Sequence, residues 1–236
     1  MKPIRKAAEM TKRELASYID QSVLKPEFTQ DEIRKYIKEG IDFGCKTVCI
    51  NPASMEIARE LCRGTETGIC IVCDFPFGLS TTASKIKQAE EICKNGDIED
   101  LDVVTNYGWI KSAKWDDAEA EMRALAELTH SFGTLLKIIF ETDALNPEEI
   151  SRATEIACIA GVDFVKTSTG FFTGGTNRGA SAEVVQIMID AARGRCKIKG
   201  SGGIRDQDHF FRLIDMGIDR MGIGYRSTPV VLGYNS

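Results

Sequence analysis

Eight short runs rich in β-branched and other apolar residues alternate along this chain with seven longer segments of helical periodicity. No other feature restricts its fold as much. The runs lie at 18–23 (the weakest), 47–50, 69–75, 101–105, 135–141, 163–167, 196–199 and 220–223. The segments between them lie near 29–43, 52–63, 81–95, 112–131, 146–160, 181–193 and 206–216. Strand and helix in strict alternation imply crossover connections and parallel pairing. Eight such units, evenly spaced and without a linker, predict an α/β (β/α)8 TIM barrel with an extra N-terminal helix at 11–18. An open doubly wound sheet is the alternative. Against it, no G-x-G-x-x-G follows the first run and no composition break marks a second domain. The 236 residues therefore read as one barrel domain, with 1–10 as an N-terminal extension.

Local signals agree with this division. Thr29 to Glu32 reads as a capping box, and Asn51-Pro52 and Asn146-Pro147 each read as an N-cap followed by proline at the first helical position. Many of the helical segments end at glycine: Gly40 or Gly44, Gly64, Gly96, Gly133, Gly161, Gly194 and Gly217. The tail after Gly224 leaves an eighth helix a turn or two at most.

A net charge of −5 argues against nucleic acid as the main partner, so an anionic substrate would need a local basic pocket. The basic N-terminus lacks an apolar stretch of signal-peptide type, and no window approaches about 18 apolar residues, so neither export nor a membrane span is expected. The predicted location is the cytoplasm. Of the eight cysteines, only Cys70 and Cys73 form a C-x-x-C. Residues three apart on a strand face opposite ways, so this pair cannot chelate one metal, and the cysteines read as buried, reduced thiols.

Barrel active sites form at the C-terminal ends of the strands. In order, those ends carry Asp20, Asn51, Asp74, Asp102, Lys137, Lys166 and Lys199. In "DFVKTS", Phe164 and Lys166 share one face; in "KIKGSGG", Lys197 and Lys199 do. A lone lysine on a strand is usually exposed or salt-bridged. A cluster of inward lysines facing an inward aspartate is costly unless paired or used. An adjacent cation or an apolar pocket lowers an amine's pKa from about 10.4 toward neutrality, and Lys199 beside Lys166 supplies the cation. A neutral amine can then form a Schiff base, whose iminium stabilises a carbanion at the next carbon, with Asp102, alone or through a water, moving protons. "GSGGIR" (200–205) and "GIGYRS" (222–227) stand where barrels often bind phosphate, and Arg205 and Arg226 could add charge. Taken alone, they are also consistent with tight βα turns bearing solvated arginines.

The sequence resembles the deoxyribose-phosphate aldolase family, class I (Schiff-base) aldolases, as a divergent member. The resemblance runs from about Thr11 to Gly233. It is carried by "YIDQSVLKP" (18–26), "VCINP" (48–52), "DFPFG" (74–78), "LDVVTNYG" (101–108), "LLKIIFET" (135–142), "DFVKTSTGFFTGGT" (163–176), "KGSGGIR" (199–205) and "RMGIG" (220–224). It implies a carbon–carbon lyase that reversibly cleaves 2-deoxyribose 5-phosphate to acetaldehyde and glyceraldehyde 3-phosphate, with no metal and no cofactor. Lys166 matches the Schiff-base lysine, Lys199 the lysine that perturbs it and Asp102 the proton-relay aspartate. Asp20 and Cys49 match pocket positions, and Gly170, Gly202, Gly203 and Arg205 lie in the stretches that hold the substrate phosphate. Lys137, Thr167, Thr169, Gly224 and Arg226 complete the expected substrate pocket.

The chain also departs from the family pattern. Gln21 stands where many members have histidine, Asp74 where glycine or asparagine is common, and Gly224-Tyr225-Arg226 where a serine pair usually contacts phosphate. Arg226 is the expected replacement for those serines. The departures leave two alternatives: the same chemistry on another short sugar phosphate or non-phosphorylated aldehyde, and a ligand-binding barrel without turnover. Barrels of this kind are often dimers, which makes a homodimer the assembly to look for.

Overall fold

A computed structural model of the chain describes Pro3, residues 5–176 and residues 178–234. Eight parallel strands close into a barrel in sequence order: β1 (Ile19–Val23), β2 (Thr47–Ile50), β3 (Gly68–Cys73), β4 (Asp100–Val104), β5 (Leu135–Ile139), β6 (Phe164–Lys166), β7 (Lys197–Ser201) and β8 (Arg220–Gly224). Pairing of Asp20 with Gly222 closes the ring between β1 and β8. Outside it run α1 (Lys12–Ala16), α2 (Gln30–Phe43), α3 (Met55–Cys62), α4 (Thr82–Cys93), α5 (Tyr107–Lys111), α6 (Trp115–Ser131), α7 (Pro147–Ile159), α8 (Ala182–Ala192), α9 (Gln207–Met216) and α10 (Thr228–Val231). The expected (β/α)8 barrel and its leading helix are both present.

The helices begin where side chains can satisfy their free N–H groups. Thr11 with Glu14, Thr29 with Glu32 and Asn146 with Glu149 form reciprocal capping boxes, each cap stabilising by about 1 kcal/mol. Gly44 (φ 75°) and Gly217 (φ 101°) end α2 and α9 in the left-handed region. Gly40 does not end its helix. A Cβ there would lie 2.9 Å from the Val48 side chain, so this glycine lets α2 lie close on the barrel wall.

Two helical segments begin differently from the sequence expectation. The stretch at 112–131 becomes α6, preceded by the separate α5, because the chain turns at Ala113 with φ 53°. Neither glycine nor proline marks that turn. The stretch at 52–63 opens with a 3₁₀ turn, Pro52–Ser54, before α3. Of the N-terminal extension, Met1, Lys2 and Ile4 lie outside the described residues. Its Ala7 is buried and donates its N–H to Asp215 of α9 at 2.9 Å.

Ile19, Ile50, Ile71, Leu101, Ile138, Val165, Ile198 and Met221 belong to the apolar core shared by the barrel and its surrounding helices. A buried ion pair interrupts that layer. Lys85 of α4, with no exposed surface, donates to Glu121 of α6 at 2.8 Å and to the Val104 carbonyl at 2.9 Å. Lys85→Met leaves a buried carboxylate without its cation and is expected to cost about 3–5 kcal/mol. By thermal denaturation the midpoint should fall by roughly 10 °C or more. A midpoint within about 2 °C of wild type would show that Glu121 does not need this partner.

Candidate active site

Strand alternation fills the barrel interior with charge. Asp20 and Asp102 are fully buried, as are Asp100, Lys137 and Lys199, while Lys166 retains 3% exposure. Lys166 and Lys199 are register partners on β6 and β7, so their side chains leave the sheet at one level. Both amines donate to the same oxygen, Asp102 Oδ2, each at 2.7 Å. The other oxygen of Asp102 lies 3.2 Å from Lys137 Nζ and accepts from the Cys70 thiol at 3.2 Å. Lys199 also meets Asp20 at 2.5 Å, and Lys137 meets Asp100 at 2.5 Å. Arg220, at the start of β8, bridges Asp20 (2.7 Å) and Asp100 (3.0 Å). The Phe164 ring lies about 5.4 Å from Lys137 Nζ and 5.5 Å from the Arg220 guanidinium, presenting its negative face to both.

Three carboxylates thus face four cationic side chains. Burial alone would raise the carboxyl pKa values. Lys137, Lys166 and Lys199 outweigh it at Asp102, and Arg220, Lys199 and Lys137 outweigh it at Asp20, so both are held below the usual carboxylate range. Burial would lower the amines, but Asp102 with Asp20 holds Lys199 up, and Asp102 with Asp100 does the same for Lys137. Lys137 and Lys199 are therefore fixed ammonium ions.

Above the cluster a cleft of about 380 Å³ opens at the C-terminal mouth of the barrel. Of the four cations only Lys166 lines it. Phe171 forms one wall and packs edge-on against Phe75, with ring centroids 5.4 Å apart. The rim carries Lys25, Arg205, Ser22, Ser201 and Ser227, together with Gly202, Gly203 and Gly224. Gly202 and Gly203 have φ of 81° and 77°, and a Cβ on Gly203 would sit 3.0 Å from the Arg178 carbonyl. Only glycine suits this turn.

Residues 15–227 match the family model described as DeoC/LacD family aldolase. The chain belongs to this family. It is 38% identical over 205 residues to deoxyribose-phosphate aldolase 1 of Staphylococcus aureus (strain MRSA252), covering 87% of this chain and 90% of that one. A solved aldolase designated QR15 shares 35% identity with a TM-score of 0.84, over 94% of this chain and 96% of that one. The tetrameric deoxyribose phosphate aldolase of Aeropyrum pernix shares 26% identity with the same TM-score, over 94% and 91%. This aldolase is accordingly a carbon–carbon lyase.

Most of the residues expected from the sequence converge on the mouth or floor of the aldolase's cleft. Lys166, Thr169, Gly170, Gly202, Gly203, Arg205 and Gly224 line it. Asp20, Asp102, Lys137 and Lys199 lie in the charged layer beneath, and Cys49 packs there beside Cys70 with the sulfurs 3.6 Å apart. Thr167 does not reach the cleft. Its hydroxyl donates to the Ser201 carbonyl and accepts from the Ser201 N–H, both at 3.0 Å, locking β6 to β7. Thr169 lines the cleft but gives its hydroxyl to Glu141, whose carboxyl is pushed up by burial.

Arg226 is not brought into the cleft. It is exposed, with its guanidinium 5.4 Å from the Tyr225 ring centroid. Tyr225 in turn packs on Tyr36, the centroids 3.9 Å apart. The basic side chains at the rim are instead Arg205 and Lys25, and Lys25 was missed although "VLKP" follows β1 directly. Gln21 and Asp74 also point elsewhere. Gln21 donates to the Tyr36 carbonyl at 2.6 Å, and Asp74, at φ 49°, accepts from the Ser80 hydroxyl at 2.7 Å.

Two residue sets come within chelating reach of one another, Cys49–Cys70–Asp102 and Asp20–Cys70–Asp100. Their carboxylates already face lysine and arginine, a donor environment that suits ammonium and guanidinium groups rather than a metal ion. Of the two ends of the barrel, the opposite one holds a larger hollow of about 480 Å³. Its Arg59 is paired with Asp97 and its Glu99 with Lys46, and among the described residues no lysine lines it, so it offers no amine for a Schiff base.

Proposed function

We propose that this aldolase reversibly cleaves 2-deoxyribose 5-phosphate to acetaldehyde and glyceraldehyde 3-phosphate through a Schiff base on Lys166. The observation carrying this reading is that the one amine at the cleft floor, Lys166 Nζ, shares Asp102 Oδ2 with Lys199. Lys166 attacks the aldehyde carbon of the open-chain sugar, and loss of water leaves an iminium. Withdrawal of the proton from the C3 hydroxyl breaks the C2–C3 bond, and the electron pair flows into the iminium to give an enamine. Glyceraldehyde 3-phosphate departs. Protonation of the enamine carbon and hydrolysis release acetaldehyde and restore Lys166. Asp102 stands where it can pass protons between Lys166 and Lys199.

The substrate's phosphate fits the rim, where Arg205, Lys25 and the glycine backbone face the cleft. A charged hydrogen bond contributes about 1.5–3 kcal/mol. Arg205→Ala should therefore raise KM for 2-deoxyribose 5-phosphate about tenfold or more while changing KM for unphosphorylated deoxyribose little. Steady-state assays with both sugars decide this. Equal responses would remove Arg205 from phosphate binding, and a wild type indifferent to the phosphate would favour a non-phosphorylated aldehyde as the substrate. The reading places the enzyme in the cytoplasm as a homo-oligomer, a homodimer being the smallest such assembly. No helix among the described residues is long and apolar enough to cross a membrane.

A further inference from the structure

Cys158 and Cys196 lie 38 positions apart in sequence, on α7 and in the turn before β7, yet their sulfurs are 2.7 Å apart. Both are free thiols. The strands are parallel, so a residue preceding β7 sits at the end of the barrel opposite Lys166, which ends β6. The pair borders a hollow of about 310 Å³ shared with Gly161, Asp163, Gly194 and Arg195. Cys158 is partly exposed, while Cys196 retains only 9% of its surface.

We propose that Cys158 and Cys196 form a thiol–disulfide site, which a low-molecular-weight disulfide such as oxidised glutathione converts into an intramolecular staple between α7 and β7. The two sulfurs need only a small side-chain movement to reach the bonding distance of about 2.05 Å. Their environments also assign the order of events. The hydrogen bond from Cys196 and the nearby Arg195 lower the Cys158 thiol, while that same contact and burial push Cys196 up. Glu155 and Asp219 act against ionisation at Cys158 and Cys196 respectively. Cys158 as thiolate attacks one sulfur of the small disulfide, forming a mixed disulfide and expelling one small thiol. Cys196, losing its proton, then attacks Cys158 Sγ and expels the second. Two protein thiols are oxidised by two electrons, the reagent is reduced to two thiols, and the two protons end on those thiols.

The bond closes a loop containing β6 and α8. Restricting that loop in the unfolded chain should raise the melting midpoint by about 5–10 °C. Retro-aldol turnover should stay within about twofold, because the bond forms at the far end of the barrel from the cleft.

The test equilibrates the folded wild type, Cys158→Ser, Cys158→Ala and Cys196→Ser with mixtures of oxidised and reduced glutathione. It then compares non-reducing peptide maps and thermal melts. The expected result is a peptide joining Cys158 to Cys196, with a midpoint rise that dithiothreitol reverses and that all three variants lack. Normal turnover in the variants establishes that they are folded. Absence of the joined peptide at every ratio overturns the proposal. So does a midpoint rise that persists in the variants, since another pair, such as Cys49 and Cys70, would then be responsible.

Discussion

Lys166→Met is expected to abolish retro-aldol turnover, by about 10⁴-fold or more, and with it the adduct that borohydride leaves when it reduces the enzyme in the presence of substrate. The side chain lies on the floor of the cleft with 3% exposure. Methionine occupies a similar volume and carries no charge. Asp102 keeps Lys137 and Lys199 as partners, and three carboxylates then face three cations. The folded barrel should therefore melt near or above the wild-type midpoint, so lost activity cannot be ascribed to unfolding. Peptide mass spectrometry of the wild type after reduction should find a single modified lysine, Lys166. An adduct on Lys199 or Lys137, or one that persists in the variant, would overturn the assignment of the nucleophile.

The barrel could be read from the sequence because its outer faces obey simple periods. Most strand residues turned toward the helices are apolar, and several helix ends carry capping boxes or glycine. The weakest run was β1, and the structure supplies the reason. "IDQSV" turns Asp20 into the charged interior and sends Gln21 to the Tyr36 carbonyl, so neither position carries an apolar signal. The misjudged boundary at Ala113 arises from a left-handed turn at a residue that ordinarily avoids it.

Part of the site was also legible. Alternation alone placed Lys166 and Lys199 on inward faces near strand ends. Asp100 and Arg220 escaped because attention to the C-terminal ends of strands overlooks their beginnings. Asp100 stands two residues before Asp102 and shares its face, a signal that was available. Arg226 shows the converse limit. Beyond the last residue of a strand no period fixes where a side chain points, and packing of Tyr225 on Tyr36 leaves Arg226 outside the cleft. The meeting of Cys158 with Cys196 joins a helix to a turn, a tertiary contact to which neither local pattern points.

Lys199→Leu tests what the surplus positive charge is for. In the wild type four cationic side chains face three carboxylates, and a buried excess of charge is costly. The amine at the cleft floor is the one whose neutral form can attack an aldehyde. Lys137 and Lys199 are held protonated by their carboxylates, so their charges persist while Lys166 reacts. Removing Lys199 leaves Asp20 with Arg220 and leaves Asp102 with Lys137 and Lys166, so every carboxylate keeps a partner and the barrel should fold. The fixed positive charge beside the reacting amine, at its register position on β7, is then gone. Turnover at neutral pH should fall by about 10²–10⁴-fold, and its acid limb should move to higher pH so that alkaline buffer restores part of the loss. The rate of borohydride trapping should move in parallel, since imine formation needs the same neutral amine. A deficit of equal size at every pH would instead make Lys199 a carrier of protons whose charge does not tune Lys166, and an unchanged rate would remove it from the mechanism.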